Sequence, residues 1–125
     1  MDEFDRYLLI ESLSDLRAFL LKNGPRVASP SAVFENTSAI ESVMRKLKGA
    51  SLEAQAFSPQ ELKVMYWAVF DLRAVTREFL DTAPLSGPDR AASLKTQRAC
   101  NNLLRSLAAS LSQAGIDIRA LFCDS

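Results

Sequence analysis

Glycine and proline, the residues that break helices most strongly, fall in a few short clusters and leave four long segments free of them. The clusters lie near residues 24–30, 49, 59, 84–88 and 115. Apolar side chains recur at helical spacing between the clusters, and no alternating run of β-branched residues flanks a hairpin turn. The sequence therefore predicts an all-α fold, a compact antiparallel helical bundle of four main helices.

The size and composition of the chain fit a single domain over residues 1–125. A chain of this length buries about two-thirds of its unfolded surface in one core. Fifteen basic and fifteen acidic residues cancel, so no overall field attracts nucleic acid or an anionic membrane. The chain has an acidic amino terminus, no apolar run of about 18 residues, and two cysteines without disulfide spacing. We therefore expect a cytoplasmic protein without a membrane segment.

The clearest helix start lies at Ser58, where three signals coincide. The Ser58 hydroxyl can cap the helix, Pro59 suits the first helical position, and Glu61 completes a capping box. The predicted helix spans residues 58–81. Its apolar positions cover nearly half of the circumference: Leu62, Val64, Met65, Ala68, Val69, Leu72, Val75, Phe79 and Leu80. Because so broad a face needs neighbours on two sides, we expect this helix to organise the bundle.

The first helix is predicted over about residues 2–22, because Asn23-Gly24-Pro25 is typical of a helix stop. One broad apolar face consists of Leu8, Leu9, Leu13, Leu16, Phe19 and Leu20. A second, lesser stripe is formed by Tyr7, Ile10 and Leu21. Since four helices leave this stripe without an obvious cover, it is a candidate surface for self-association into a homo-oligomer.

The second segment predicts a helix with a break. Phe34 does not share the apolar stripe of the later residues, and Ser38 with Glu41 forms a capping box inside the segment. We expect a short helical turn over residues 30–36, a break near Asn36, and then a helix over about 39–48. Gly49 is expected to end that helix in the left-handed conformation.

The last segment predicts a one-sided helix over about residues 87–114, capped by Ser86 and ended by Gly115. The short loop before it requires antiparallel pairing with the preceding helix. A tail of Ile116, Ile118, Leu121 and Phe122 follows. We expect a short helical turn over residues 116–122 that folds back over the end of the bundle.

The sequence lacks the usual groups of catalytic sites. Histidine, a glycine-rich phosphate loop and a Gly-x-Ser-x-Gly motif are all absent. Cys100 falls in the apolar stripe of the last helix, where a thiol keeps a high pKa and stays inert. Two cysteines without histidine cannot form a zinc site within one chain. We expect no enzyme activity, no catalytic residue, no cofactor and no metal.

A carboxylate metal-binding bundle is the least favoured alternative. Glu11 and Asp15 lie four residues apart on one helix face, as the ligands of such bundles do. That face is opposite Leu13 and Leu16, so the pattern favours a solvated pair.

One edge of the central helix is a candidate partner-binding site. Aromatic and guanidinium groups follow one another there: Tyr66, Trp67, Phe70, Arg73 and Arg77. Such residue types are enriched at protein-binding hot spots. The alternative is that the aromatic side chains belong to the core and the arginines cover them.

These patterns favour a small non-catalytic protein–protein interaction module, such as an adaptor, a regulator or an inhibitor or immunity-type protein. Its expected partner is another protein. The alternative is a nucleic-acid-binding transcriptional regulator, which would use a basic helix face. The basic residues available are Lys95, Arg98 and Arg105 on the last helix and Arg45, Lys46 and Lys48 on the second. No compact helix-turn-helix unit accompanies them, so a solvated face is favoured.

Overall fold

The computed structural model describes residues 2–49 and 56–122, and this part of the chain forms four α-helices and one short 3₁₀ helix. The α-helices are α1 (Glu3–Val27), α2 (Pro30–Lys48), α3 (Pro59–Thr82) and α4 (Gly87–Gln113), and the 3₁₀ helix spans Ile118–Phe122. No strand occurs among these residues, and no helix there is long and apolar enough to cross a membrane. The predicted all-α bundle is confirmed.

α1 and α2 form the first antiparallel hairpin. Arg17 on α1 donates from Nε to Oε1 of Glu41 on α2 across 3.0 Å. Nearer the turn, Gly24 lies directly against Val33. Since the two contacts join residues 24 and 9 positions apart, the helices run side by side in opposite directions.

α3 and α4 form the second hairpin, and α3 lies at the centre of the bundle. A short loop over residues 83–86 leads α4 back along α3, where Arg73 donates to the Oδ1 of Asn101 across 3.3 Å. α3 contacts all three other helices, whereas α4 packs mainly on α3. The broad apolar face of α3 therefore organises the bundle, as its sequence predicts.

The start of α3 forms the predicted capping box. Ser58 Oγ accepts a hydrogen bond from the backbone N–H of Glu61 at 3.2 Å, and the Glu61 carboxylate accepts from the backbone N–H of Ser58 at 2.8 Å. Pro59 follows Ser58 in the first turn. These reciprocal bonds satisfy backbone groups that the start of a helix otherwise leaves without partners.

The predicted stop of α1 at Asn23-Gly24-Pro25 is wrong, because the helix continues to Val27. Proline disfavours the helical conformation in the residue before it, largely through a clash with that residue's Cβ. Gly24 has no Cβ, so the chain passes through Pro25 as a helix. The backbone N–H of Ala28 then donates to Gly24 O at 2.9 Å.

The predicted break in α2 is also wrong. Residues 30–36 are helical, but they belong to one uninterrupted helix. Thr37 lies in the middle of this helix, and its hydroxyl donates back to the carbonyls of Val33 and Phe34 at 2.9 and 3.1 Å. Phe34 leaves the apolar stripe because it is 70% exposed, not because the helix ends. Gly49 has a φ of −72°, so the predicted left-handed cap is absent there.

The end of α4 follows the prediction, and the predicted turn over residues 116–122 is present as the 3₁₀ helix that begins at Ile118. Gly115 adopts a φ of +81°, and the backbone N–H of Ile116 donates to Leu111 O at 2.9 Å, which is the Schellman arrangement. Ile116, Ile118 and Leu121 pack against the core. The indole N–H of Trp67 donates to Leu121 O at 3.3 Å, so the tail is fastened to α3. Cys123 and the linker over residues 50–55 lie outside the described residues.

The core occupies only part of the second hairpin. The buried residues of α3 lie between Glu61 and Val69, apart from Thr76. Those of α4 lie between Ala99 and Leu111. Residues 70–98, which we call the distal hairpin, therefore stand largely outside the core.

We predict that Gly24→Ala destabilises the fold by about 1–3 kcal/mol. A Cβ at this position would lie 2.7 Å from Cγ2 of Val33, a β-branched side chain with little rotamer freedom. Urea unfolding followed by circular dichroism measures the loss, and adding Val33→Ala should restore part of it.

Gly87→Ala is the matched control, because Gly87 also precedes a proline within a helix but has no atom within 4 Å of an added Cβ. Any cost of placing a Cβ before proline is thus common to both variants. Equal losses for the two would contradict close packing between Gly24 and Val33.

The fastening of the tail predicts a fluorescence change on Leu121→Asp. A charged side chain should not stay packed against the core, so the tail should leave Trp67. Since Trp67 is the sole tryptophan, its emission should shift to longer wavelength. Ala120→Asp, at an exposed position of the same 3₁₀ helix, should leave the emission unchanged. The same spectrum for both variants and the natural chain would argue against the tail contact.

Candidate functional site

The predicted partner-binding edge of α3 is divided between core and surface. Tyr66 is buried, and Trp67 and Phe70 are partly buried and pack against the core. The Arg73 guanidinium lies over the Phe70 ring, 5.3 Å from its centroid, while Arg77 is exposed. The structure therefore does not bring the five side chains together on one accessible surface. Tyr66 in particular is not available to a partner.

The exposed end of this edge borders a shallow groove of about 350 Å³. Its lining includes two cations, Arg73 and Arg77, and two carboxylates, Glu78 and Asp81. The charges balance, so this groove has no preference for a partner of either sign.

The predicted self-association stripe is discontinuous. Tyr7 and Leu21 are more than half exposed, whereas Ile10 is partly buried and packs against the core. Fourteen residues of helix, roughly 21 Å, separate the two exposed side chains. Self-association through this stripe stays a prediction.

A second groove, which the sequence did not reveal, lies between α1 and α3 and has a volume of about 380 Å³. We call it the α1–α3 groove. Its lining consists of Ser12, Asp15, Leu16 and Phe19 from α1 and Ala68, Asp71, Leu72, Ala74 and Val75 from α3. Most of these side chains are apolar, and both charged ones are acidic.

Large apolar side chains are exposed at this groove. Phe19 is 50% exposed and Val75 is 52% exposed, one on each helix. Val75 also borders a smaller hollow on α3 that includes Phe79, itself 54% exposed. The apolar surface therefore continues from the groove along the distal hairpin. Contiguous exposed apolar surface of this kind is typical of interaction sites.

Both charged groups in the α1–α3 groove, Asp15 and Asp71, lack an ion-pair partner among the described residues. Asp71 is exposed, yet desolvation by its surroundings raises the pKa of its carboxyl group. No basic side chain lines the groove. The charged side chains that line the groove are thus all negative, although the chain as a whole is neutral.

The sequence pattern places Phe19, Val75 and Phe79 on the apolar faces of their helices and therefore does not reveal the groove. Periodicity identifies the face of a helix but not how far along that face a neighbour extends. One signal was present: the apolar stripe of α3 continues to Phe79 and Leu80, a long way for one small core to cover. The limit of the core becomes visible only in the packed structure.

The Cys100 thiol and the carboxylates of Glu11 and Asp15 do not form a reactive site. Cys100 is completely buried, and desolvation raises the pKa of its thiol to about 11, so it stays protonated at neutral pH. Glu11 and Asp15 are both exposed. Nowhere in residues 2–49 and 56–122 do three or more Cys, Asp or Glu side chains converge as a metal site requires.

The six basic residues that a nucleic-acid-binding function would use have different surroundings. On α4, Lys95, Arg98 and Arg105 are exposed, and Lys95 lies over the Phe4 ring at 4.2 Å from its centroid. On α2, Lys46 is committed to an internal ion pair. The six residues therefore do not act as one free basic surface.

That internal ion pair fixes the start of α3 to α2. Oε1 of Glu61 accepts from Lys46 Nζ at 2.8 Å, and Oε2 accepts from Ser42 Oγ at 2.9 Å. Lys46 also donates to the carbonyl of Ala56 at 2.8 Å. Burial alone would raise the pKa of Glu61, but the hydrogen bonds from Lys46, Ser58 and Ser42 outweigh it and hold that pKa below its usual value. The cluster is fully hydrogen-bonded and structural.

No protein-family model, curated protein sequence or solved structure matches this chain significantly. The α1–α3 groove is the described surface that best combines exposed apolar area with charge of one sign.

Glu61→Gln is predicted to lower the free energy of unfolding at pH 7 by about 2–4 kcal/mol, because Lys46 loses its buried carboxylate partner. A carboxyl group with a lowered folded-state pKa stabilises the fold above its unfolded pKa, and this contribution disappears as the pH falls through the folded pKa. The difference between variant and natural chain should therefore shrink between pH 7 and about pH 3. Urea unfolding at several pH values measures it.

Glu41→Gln is the control, since it removes an exposed carboxylate paired with Arg17. This change should cost at most about 1 kcal/mol. If the Glu61→Gln deficit stayed constant across the pH range, the ionised carboxylate would not be its source.

Proposed function

We propose that this protein is a non-catalytic protein–protein interaction module that binds its partner in the α1–α3 groove. The observation that carries this proposal is the position of Phe19 and Val75, two half-exposed apolar side chains from different helices lining one groove. An adaptor, a regulator or an inhibitor would use such a surface without catalytic groups.

Covering the exposed apolar side chains of this surface would contribute a useful part of the binding free energy. Fully burying a large apolar side chain contributes about 2 kcal/mol, so covering the exposed halves of Phe19, Val75 and Phe79 would contribute about 3 kcal/mol. That amount corresponds to roughly two orders of magnitude in affinity. A stable complex buries about 800 Å² on each partner, so the partner must also contact the rim around the groove.

The distal hairpin supports the same interpretation. Its described residues contribute only Thr76 to the buried set, yet α3 continues there as a regular helix with apolar Val75 and Phe79. Each of these two side chains is more than half exposed, so little of its apolar surface contributes to the core. If a partner covered Val75 and Phe79, the apolar area removed from water would contribute to the binding free energy.

Site-specific photo-cross-linking in the cells of origin tests this function. A photoreactive phenylalanine analogue replaces Phe19 in the groove or, as matched control, Phe34, which is more exposed but lies outside the groove. We expect position 19 to form a specific adduct with another protein and position 34 to form none. Adding Val75→Ser should reduce the adduct at position 19 about tenfold, because it removes apolar contact on the opposite side of the groove.

Two results would contradict the proposal. One is an equal or stronger adduct from position 34. The other is an adduct from position 19 whose yield does not respond to Val75→Ser, which would place the partner outside the groove.

A further inference from the structure

The α1–α3 groove combines an apolar floor with charge of a single sign, and this combination specifies what fits it. Resting on the proposed function, we infer that the occupant is an amphipathic helix of the partner protein, with lysine or arginine residues flanking its apolar face. Leu16 and Leu72 would receive the apolar side chains, and Asp15 and Asp71 would face the basic ones.

The charges of the groove select a basic partner. Asp15 on one helix and Asp71 on the other have no ion-pair partner among the described residues, and no basic side chain lines the groove. A cation beside Asp71 would also restore the solvation that its apolar neighbours take away. An acidic partner would meet repulsion instead.

The shape of the groove selects a helix. Its walls are two packed helices, and a third helix fits the depression between two others by placing its side chains into their grooves. The groove and the smaller hollow share Val75, so together their lining extends along α3 from Ala68 to the helix end at Thr82, roughly 21 Å, or about four turns of helix. A helical ligand of that length presents anchors at positions i, i+3 or i+4, and i+7 to one side.

A second copy of this chain is a poorer occupant. A two-fold dimer through the groove brings the same surface of both copies together, so the acidic residues of one would face those of the other. The exposed face of α4 is basic and carries Leu94, but its docking into the groove of another copy would be a head-to-tail contact, which forms a ring or an open chain of many copies.

Binding of two synthetic peptides to the full-length protein tests the inference. Both are helices of about 18 residues with leucine at positions spaced three and four apart, and the remaining positions are lysine and alanine in one and glutamate and alanine in the other. Fluorescence anisotropy should show binding of the lysine peptide and at least tenfold weaker binding of the glutamate peptide. Raising the salt from about 50 to 500 mM should weaken the lysine peptide severalfold.

Single substitutions locate the site. Asp71→Asn should weaken the lysine peptide about fivefold. The fold should keep its stability, since the change removes a desolvated charge. Val75→Ser should weaken the peptide about tenfold. Glu35→Gln, an exposed carboxylate on α2 outside the groove, should have no effect.

The inference is overturned if the lysine peptide does not bind, if the glutamate peptide binds as well, or if Asp71→Asn and Glu35→Gln have equal effects. It is also overturned if sedimentation shows a dimer that Val75→Ser dissociates, since the occupant would then be a second copy. A groove-dependent adduct from position 19 together with charge-independent peptide binding would leave the proposed function standing and remove only the basic helix. If neither the adduct from position 19 nor binding of the lysine peptide were observed, the proposed function and the basic helical partner would both be overturned.

Discussion

Burial of the first half of α3 is the constraint on which the rest of the structure depends. Val64, Met65 and Val69 are almost completely inaccessible, and α3 contacts each of the other three helices. The Ser58 capping box and the pair of Glu61 with Lys46 fix where this half begins and how it meets α2. A buried ion pair of this kind fixes the relative position of the two helices more than it adds net stability. The cost of removing both charges from water offsets much of their Coulomb attraction.

The burial of the first half of α3 also explains why apolar side chains are exposed along its second half. Once the first half of α3 is covered, the remaining helices are too few to cover the second half, and the α3–α4 hairpin continues beyond the core. Where the apolar stripe extends beyond the part of α3 that other helices cover, its side chains are exposed to solvent. Phe19 and Val75 therefore line an open groove, although their helical positions are those of core residues. The acidic side chains beside them give that groove a polarity that the neutral chain lacks as a whole.

Local signals in the sequence predicted local structure well. The Ser58 capping box and the Gly115 helix end depend on residues close in sequence, and both are present. The folded-back tail is also present, although its hydrogen bond with Trp67 joins residues 54 positions apart. The predictions failed at two places in the first hairpin. The Gly24-Pro25 pair is typical of a helix stop, but α1 continues through it because Gly24 has no Cβ to clash with the proline ring. Phe34 lies off the apolar stripe because its side chain is exposed, and α2 is unbroken there. The groove escaped prediction because it depends on the extent of the core.

The apolar stripe of α3 packs into the core in its first half and is largely exposed in its second half, which we propose binds a partner. The most direct measurement compares the unfolding free energies of Val69→Ala and Val75→Ala, identical changes on the same helix. Val69 is fully buried and Val75 is half exposed. We expect a loss of about 2 kcal/mol for Val69→Ala and less than about 0.5 kcal/mol for Val75→Ala. Equal losses would show that the fold itself requires the second half of α3, and would contradict the proposal that this half is a surface for a partner.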